Sequence, residues 1–358
     1  MPKVSIIIPC LNSVKYVREM LESVVNQTLK EIEILIIDAG STDGTLEIFQ
    51  EYAAKDGRIK KIHSDRKSMG YQYNIGMDAA TSEYIGFVES DDYVDLNMFE
   101  ELYSNIHGQN LDLVKADFEE FFDLPQERQF TTCKLLPENG GNLYGKIINV
   151  KDCFPLINGS YHWNGIYSKD FINRNNIRFN ETSGAAFQDY SFYLLTMLYS
   201  ERIKCLNRPF YKYRTDNGAA SAYNPNAYKF MMDEFRYFCK CLEISTPKNL
   251  DFFEVAIYIK FFNNFNYFLM FSHLQYREYD AELLENTRGF IELLRSKYEA
   301  IGAEKQSQIR RDIRDNISIF CSDFEKHCYN LKYNWWEKFK AGNINSLTGR
   351  GVYKCTIS

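Results

Sequence analysis

From Val4 to about Phe121, short β-branched apolar runs alternate with longer stretches whose apolar residues recur every three or four positions. A strand buried on both faces reads as a continuous apolar run, and a helix lying on it reads as one stripe. The alternation therefore predicts βαβ units and a mostly parallel sheet. The strand candidates are Val4–Ile8, Ile32–Asp38, Ile59–His63, Tyr84–Val88 and Leu113–Phe118. Between the first two, Val14, Val17, Leu21, Val24 and Val25 set one apolar stripe against the sheet. Leu46, Ile48 and Phe49 open the next helix after the Ser41-Thr42-Asp43 turn.

After Asp123 the pattern weakens. Pro125, Pro137 and the Asn139-Gly140-Gly141 turn predict a hairpin or an irregular excursion before helical text from Val150 to Ile157. From about Tyr223 strand signals vanish, and Phe252 to Phe271 and Ile309 to Leu331 read as helices, which sets a boundary near residue 220. Phe261, Phe262, Phe265, Tyr267, Phe268 and Phe271 are too many for one narrow stripe, so their helix is expected to be buried on more than one side. Packing within the chain is the base case, with a homodimer through these helices as an addition.

The 358 residues are 45% hydrophobic and 25% charged, and no apolar run approaches a membrane span, so the chain reads as globular and of two to three structural units. With 48 Asp plus Glu against 42 Lys plus Arg it lacks the basic excess of a nucleic-acid binder. Met1-Pro2-Lys3 runs straight into Val4 to Ile8 without a secretory signal pattern. Nine cysteines, with Cys239 and Cys241 spaced CxC, suit neither a zinc knuckle nor a redox pair. They are expected to be reduced packing residues of a cytoplasmic protein.

In an open parallel sheet, ligands bind beyond the carboxyl ends of the strands. There the chain places Pro9-Cys10-Leu11-Asn12, Asp38-Ala39-Gly40-Ser41-Thr42-Asp43-Gly44, Ser64-Asp65-Arg66-Lys67 and Glu89-Ser90-Asp91-Asp92. Neither GxGxxG nor GxxxxGK[ST] is present, which removes the usual dinucleotide oxidoreductase and P-loop NTPase. Several acidic loops on one sheet edge, with no basic loop for a bare phosphate, fit a nucleotide diphosphate held through Mg or Mn. A carboxylate after the second strand could instead accept a hydrogen bond from the imide N–H of a uracil. Each acidic loop taken alone could equally be a solvated turn or a helix cap.

The stretches SIIIPCLNSVKYVREMLESVVNQT, LIIDAGSTDGT, MGYQYNIGMDAATSEYIGFVESDDYV, WNGIYSKDFI, FQDYSFYLL and YKYR, in that order, resemble the family 2 inverting glycosyltransferases of GT-A fold. The resemblance implies an α/β nucleotide-diphospho-sugar transferase fold over 1–220, with a nucleotide-binding half (1–122) and an acceptor half (123–220). A helical C-terminal module, 221–358, would follow. It further implies that Pro9 and Asn12 line the nucleotide pocket, that Asp38 meets the uracil, and that Asp65, with Arg66 or Lys67, borders the base and ribose. The family's DxD motif falls on Glu89-Ser90-Asp91. Asp91 would be the metal ligand, and Glu89, one methylene longer than the usual Asp, would face the ribose or a metal-bound water. The family's Glu-Asp pair reads Gln188-Asp189, making Asp189 the candidate general base, with plain helix capping as the other reading. Loss of the preceding Glu removes a like charge and would let the pKa of Asp189 sit lower.

Asp92, His162 and Trp163 would lie on the acceptor side. Gly165 stands where the family has a Lys, so Lys212 or Arg214 would supply the cation for the leaving diphosphate. A lone His such as His162 is by default a structural residue, and Trp163 could stack on a sugar or belong to the core. The aromatic and basic run Leu331 to Lys340 suits either peripheral contact with the inner face of a membrane or a packed terminal helix. The expected activity is metal-dependent transfer from a UDP-sugar to a hydroxyl of a surface glycan such as capsule or lipopolysaccharide, by single displacement. Its rivals are a sugar nucleotidyltransferase and a non-catalytic glycan- or nucleotide-binding module.

Overall fold

The computed structural model describes residues 1–136, 138–218, 224, 227–270 and 281–340, with the backbone alone for 138–140 and 334–340. The described residues up to 218, joined by Pro247–Asn249, form one compact unit; the remainder from 224 onward forms another.

The first unit is built on a ten-stranded sheet. In chain order the strands are β1 Val4–Cys10, β2 Ile32–Asp38, β3 Ile59–His63, β4 Tyr84–Phe87, β5 Tyr93–Val94, β6 Leu113–Asp123, β7 Arg128–Cys133, β8 Ile147–Ile148, β9 Gly165–Ser168 and β10 Ile203–Arg214. The spatial order is β3-β2-β1-β4-β9-β6-β10-β5, with β7 beside β6 and β8 beside β10. The first four in that order run parallel, in register from Val4 opposite Ile32 to Cys10 opposite Asp38. Then β9 enters antiparallel between β4 and β6, and β10 lies parallel to β6. Every residue of β1 and β2 is buried, as strands covered on both faces require.

Helices α1 Val17–Val25, α2 Thr45–Ala53, α3 Met69–Ala79, α4 Met98–Ile106, α5 Lys169–Arg174 and α6 Gln188–Tyr199 fill the connections. α3 sits unusually close to the sheet: a Cβ on Gly76 would lie 2.4 Å from Ile7 Cγ2, so only glycine lets the backbone come so near. The excursion after Asp123 is a hairpin of β6 and β7. The helical text from Val150 resolves into two short 3-10 segments, Val150–Asp152 and Phe154–Asn158, because Pro155 prevents a continuous α-helix.

The second unit contains α7 Ala227–Ile244, α8 Leu250–Leu269, α9 Ala281–Ala300, α10 Gly302–Ser307, α11 Arg311–Ser322 and α12 Phe324–Lys340. The helical text from Ile309 to Leu331 falls on α11 and α12, with the break at Asp323. Phe261, Phe262, Phe265 and Phe268 are all buried, and Phe265 meets Phe290 and Phe320 at 4.7 and 5.6 Å between ring centroids. Phe271, the last aromatic in the expected set, lies outside the described residues, as do Tyr223, Pro137 and the side chains of Trp335 and Trp336. Among the described residues, no helix is long and apolar enough to cross a membrane.

Candidate active site

The loops that follow β1, β2 and β4 meet at the carboxyl edge of the parallel strands. Pro9 is buried within β1, and Asn12, just beyond it, adopts a left-handed φ of 54°. Its side chain accepts from the Thr42 N–H at 2.9 Å, and its own N–H donates to Ser41 Oγ at 2.9 Å. The first two loops are thus locked together. Asp38 ends β2 buried, accepting from Ser41 Oγ at 2.6 Å and the Gly40 N–H at 3.0 Å. Ser90 reaches Ser13 by a 2.6 Å hydroxyl contact, joining the acidic loop to the first loop. After β3, Asp65 and Lys67 are exposed. Asp65 pushes the pKa of the nearby Tyr71 hydroxyl up, while Arg66 pairs with Glu181 at 2.9 Å and lies over the Tyr71 ring. Among the described residues Lys67 makes no ion pair.

Glu89, Asp91 and Asp92 lie between β4 and β5, and each offers a carboxylate oxygen within 4.8 Å of the others. Asp92 is buried, accepting from the Tyr211 hydroxyl at 2.8 Å and the Arg214 backbone N–H at 2.8 Å. Asp91 accepts from the Asn217 amide at 2.7 Å. Burial, then the charges of Asp91 and Asp189, push the Glu89 pKa well up. Burial, then Asp91 and Glu89, do the same to Asp92. Like charges gathered this closely favour a proton or a cation, and an all-oxygen donor set suits a hard divalent ion.

Asp189 is the second residue of α6 and half-buried; its charge reaches Glu89, which brings it into the same electrostatic neighbourhood. It does not stand at the capping position, which belongs to Phe187 with a left-handed φ of 63°. The helix N-terminus still favours its anionic form.

Two groups of expected residues turn out to be placed differently. Arg214 is only 4% exposed, and its guanidinium is held by Asp123 at 2.7 Å, Glu19 at 2.9 Å and Asp216 at 3.3 Å, with Nε donating to the Asp91 carbonyl at 3.0 Å. Lys212 is likewise engaged by Glu119, Asp95 and the Pro209 carbonyl. Both cations are thus engaged by carboxylates of the chain itself, and Arg214 braces the acidic loop. His162 is fully buried in an aromatic box of Tyr73, Phe87 and Phe179, and burial pulls its pKa well down. Trp163 is 2% exposed and stacks on Tyr211 at 4.1 Å and Tyr213 at 5.2 Å, so it is core and not a sugar platform.

Sequence reasoning missed Tyr211, whose hydroxyl both donates to Asp92 and accepts from the Glu89 N–H at 3.0 Å. The alternation Tyr211-Lys212-Tyr213-Arg214 held the signal, since a strand puts both tyrosines on one face. It also missed Asn217, and Tyr73, a fully buried phenol whose pKa is raised by burial and by the charges of Glu89, Asp189, Asp92 and Asp91.

Residues 5–174 match the family model described as glycosyl transferase family 2. The chain is 32% identical over 238 residues to the uncharacterized glycosyltransferase EpsJ of Bacillus subtilis (strain 168), covering 65% of this chain and 66% of that one. It is 29% identical over 282 residues to the cholesterol galactosyltransferase of Borreliella burgdorferi, covering 76% and 75%. The match thus spans just under two thirds of EpsJ. Among solved structures, S. aureus TarS 1-349 in complex with UDP-GlcNAc superposes with a TM-score of 0.68 at 19% identity, over 95% of this chain and 92% of that one. The parallel strands, the acidic loop after β4 and the helix carrying Asp189 therefore sit on a GT-A-like scaffold, in which residues 5–174 match glycosyl transferase family 2.

Proposed function

We infer that the protein transfers a sugar from a UDP-sugar to a hydroxyl of a surface glycan, with inversion. The observation that carries the reading is the convergence of Glu89, Asp91 and Asp92 with Asp189 on the carboxyl edge of the parallel strands. Support for the donor comes from the UDP-GlcNAc complex of TarS, a protein of the same fold. Asp38 remains the candidate partner of the uracil imide and Asn12 of the nucleotide pocket, while Asp65 and Lys67 would border the base and ribose from the exposed loop after β3.

In the proposed displacement Asp189 takes the acceptor's hydroxyl proton as the oxygen attacks the anomeric carbon from the face opposite the diphosphate. The bond from the acceptor oxygen to the anomeric carbon forms as the bond from that carbon to the diphosphate breaks, and UDP departs, so no covalent sugar–enzyme bond is needed. Glu89, Asp91 and Asp92 would hold Mn or Mg, which when bound supplies positive charge to the departing diphosphate. Arg214 and Tyr211 keep that loop in place by gripping Asp91 and Asp92. A cytoplasmic setting is part of the same proposal. Peripheral membrane contact is assigned to the run 331–340 and dimerisation to the helical unit; sedimentation with anionic vesicles and light scattering test each.

Asp189→Asn and Asp91→Asn should each lower turnover by about a thousandfold while leaving the folded chain intact by circular dichroism. A panel of nucleotide sugars with and without Mn provides the assay. Near-wild-type transfer by either variant removes that residue from its role, a preference for GDP- or CDP-sugars removes the uracil assignment, and pyrophosphate release from UTP plus a sugar phosphate favours a nucleotidyltransferase.

A further inference from the structure

Between Phe179 and Gln188 the chain forms a strap along α3. The Asn74 side chain donates to the Phe179 carbonyl and to Glu181 at 3.0 Å each, and accepts from the Phe179 N–H at 3.0 Å. A Cβ on Gly70 would come 1.8 Å from the Asn180 carbonyl oxygen, so the helix and strap touch backbone to backbone. Further along, Gly184 bridges to Ser68 in parallel fashion: its N–H donates to the Lys67 carbonyl at 2.7 Å, and its carbonyl accepts from the Met69 N–H at 2.9 Å. The loop after β3 and the approach to α6 are therefore one hydrogen-bonded body.

Gln188 closes it. Its side chain is fully buried, its Oε1 accepts from the Ala186 N–H at 2.7 Å, and its Nε2 lies 3.1 Å from the Gly184 carbonyl, 3.2 Å from the Thr182 carbonyl and 3.1 Å from the Thr182 hydroxyl. Two carbonyl oxygens and one N–H around a single group demand a donor and an acceptor together, which an amide has and a carboxylate lacks. The Gln at this position is thus dictated by the strap.

We propose that Gln188 is a positioning residue that fixes Asp189, its neighbour in the first turn of α6, to the loop 64–69 on the donor side. This rests on the reading of Asp189 as the base. The consequence is that the base and the wall of the nucleotide pocket keep a constant spacing, and that losing the amide frees both ends at once.

Amide hydrogen exchange on the full chain tests it, with Gln188→Ala and Gln188→Glu compared to wild type. Peptides covering 180–187 and 67–70 should exchange at least about tenfold faster in both variants, with β1 and β2 unchanged, as expected for local opening. In Gln188→Glu the protection should return as the pH falls, because a protonated carboxyl regains a donor; Gln188→Ala should show no such return. A residue that merely fills space would give no pH-dependent rescue. Unmoved exchange in both peptides overturns the inference, and so does uniform acceleration across the sheet without rescue in Gln188→Glu. Should Asp189→Asn instead retain its turnover, the base reading falls while the exchange pattern stands, so the two failures are told apart.

Discussion

Lys115 shows how far a single residue can depart from what its type suggests. Its ammonium is fully buried between Tyr167 and Tyr193, donating to the Tyr161 carbonyl at 2.5 Å and the Tyr167 hydroxyl at 3.0 Å. Among the described residues it has no carboxylate partner, and burial pulls its pKa from 10.5 to about 7. A lowered folded-state pKa means that the unfolded chain binds more protons between about 7 and 10.5, so this group's penalty is full below the lower value and fades towards the upper one. Lys115→Met should therefore gain most over wild type near pH 6 and lose that advantage near pH 10. Tyrosines and cysteines of the unfolded chain also titrate in this range, so the melting-temperature difference between the two proteins, followed against pH, is the quantity to read. A difference that stays flat would mean that Lys115 is not charged at the lower pH. Nothing in the sequence around Val114-Lys115-Ala116 flags this, because a lysine in an apolar strand reads equally as an edge position.

At the scale of elements, what was legible depended on length and neighbours. β1, β2 and β3 carry their signal locally, and so do α1 and α2. β5 and β8, at two residues each, have no period to read, and the four-residue β9 is defined only by partners in β4 and β6 some fifty to eighty positions away. The acidic loop after β4 was legible as chemistry. That Arg214 is neutralised by Glu19, Asp123 and Asp216 was not, since those carboxylates come from three separate stretches of chain. Glycines on α3 give an ordering to test. Alanine would raise helix propensity by about 1 kcal/mol, but overpacking costs about 1–3 kcal/mol or more. At Gly76 the obstacle is a methyl of Ile7, which can shift; at Gly70 it is the Asn180 backbone, which cannot. Both variants should be destabilised in urea, Gly70→Ala by more, and the reverse order would argue that the strap yields more easily than the sheet.

The whole molecule is not divided by a single cut. Among the described residues the first unit runs to 218, yet it also takes in Pro247–Asn249. Asn249 is buried, and its amide donates to the Ser200 carbonyl at 2.9 Å, while Lys248 pairs with Glu201. Asn249 thereby satisfies backbone carbonyls at the end of α6, Ser200 through its amide and Leu198 through its N–H, on the helix whose other end carries Asp189. Asn249→Ala should cost the first unit about 1–3 kcal/mol, visible as faster exchange around 197–201. A chain stopped at 220 should aggregate in size-exclusion runs, and a monodisperse, active product would show that neither the returning segment nor the helices are required.

The return of Pro247–Asn249 also sets an order of events during synthesis. A ribosome that has delivered every strand of the sheet still holds back the residues that finish α6, and it must first extrude all of α7, whose helical partners have not yet been made. The catalytic half is then complete except for one helix end while an apolar helix waits exposed, which is the interval in which nascent chains associate wrongly. Translation speed through residues 220–250, a property that no contact in the finished fold records, should therefore govern how much of this protein reaches its native state.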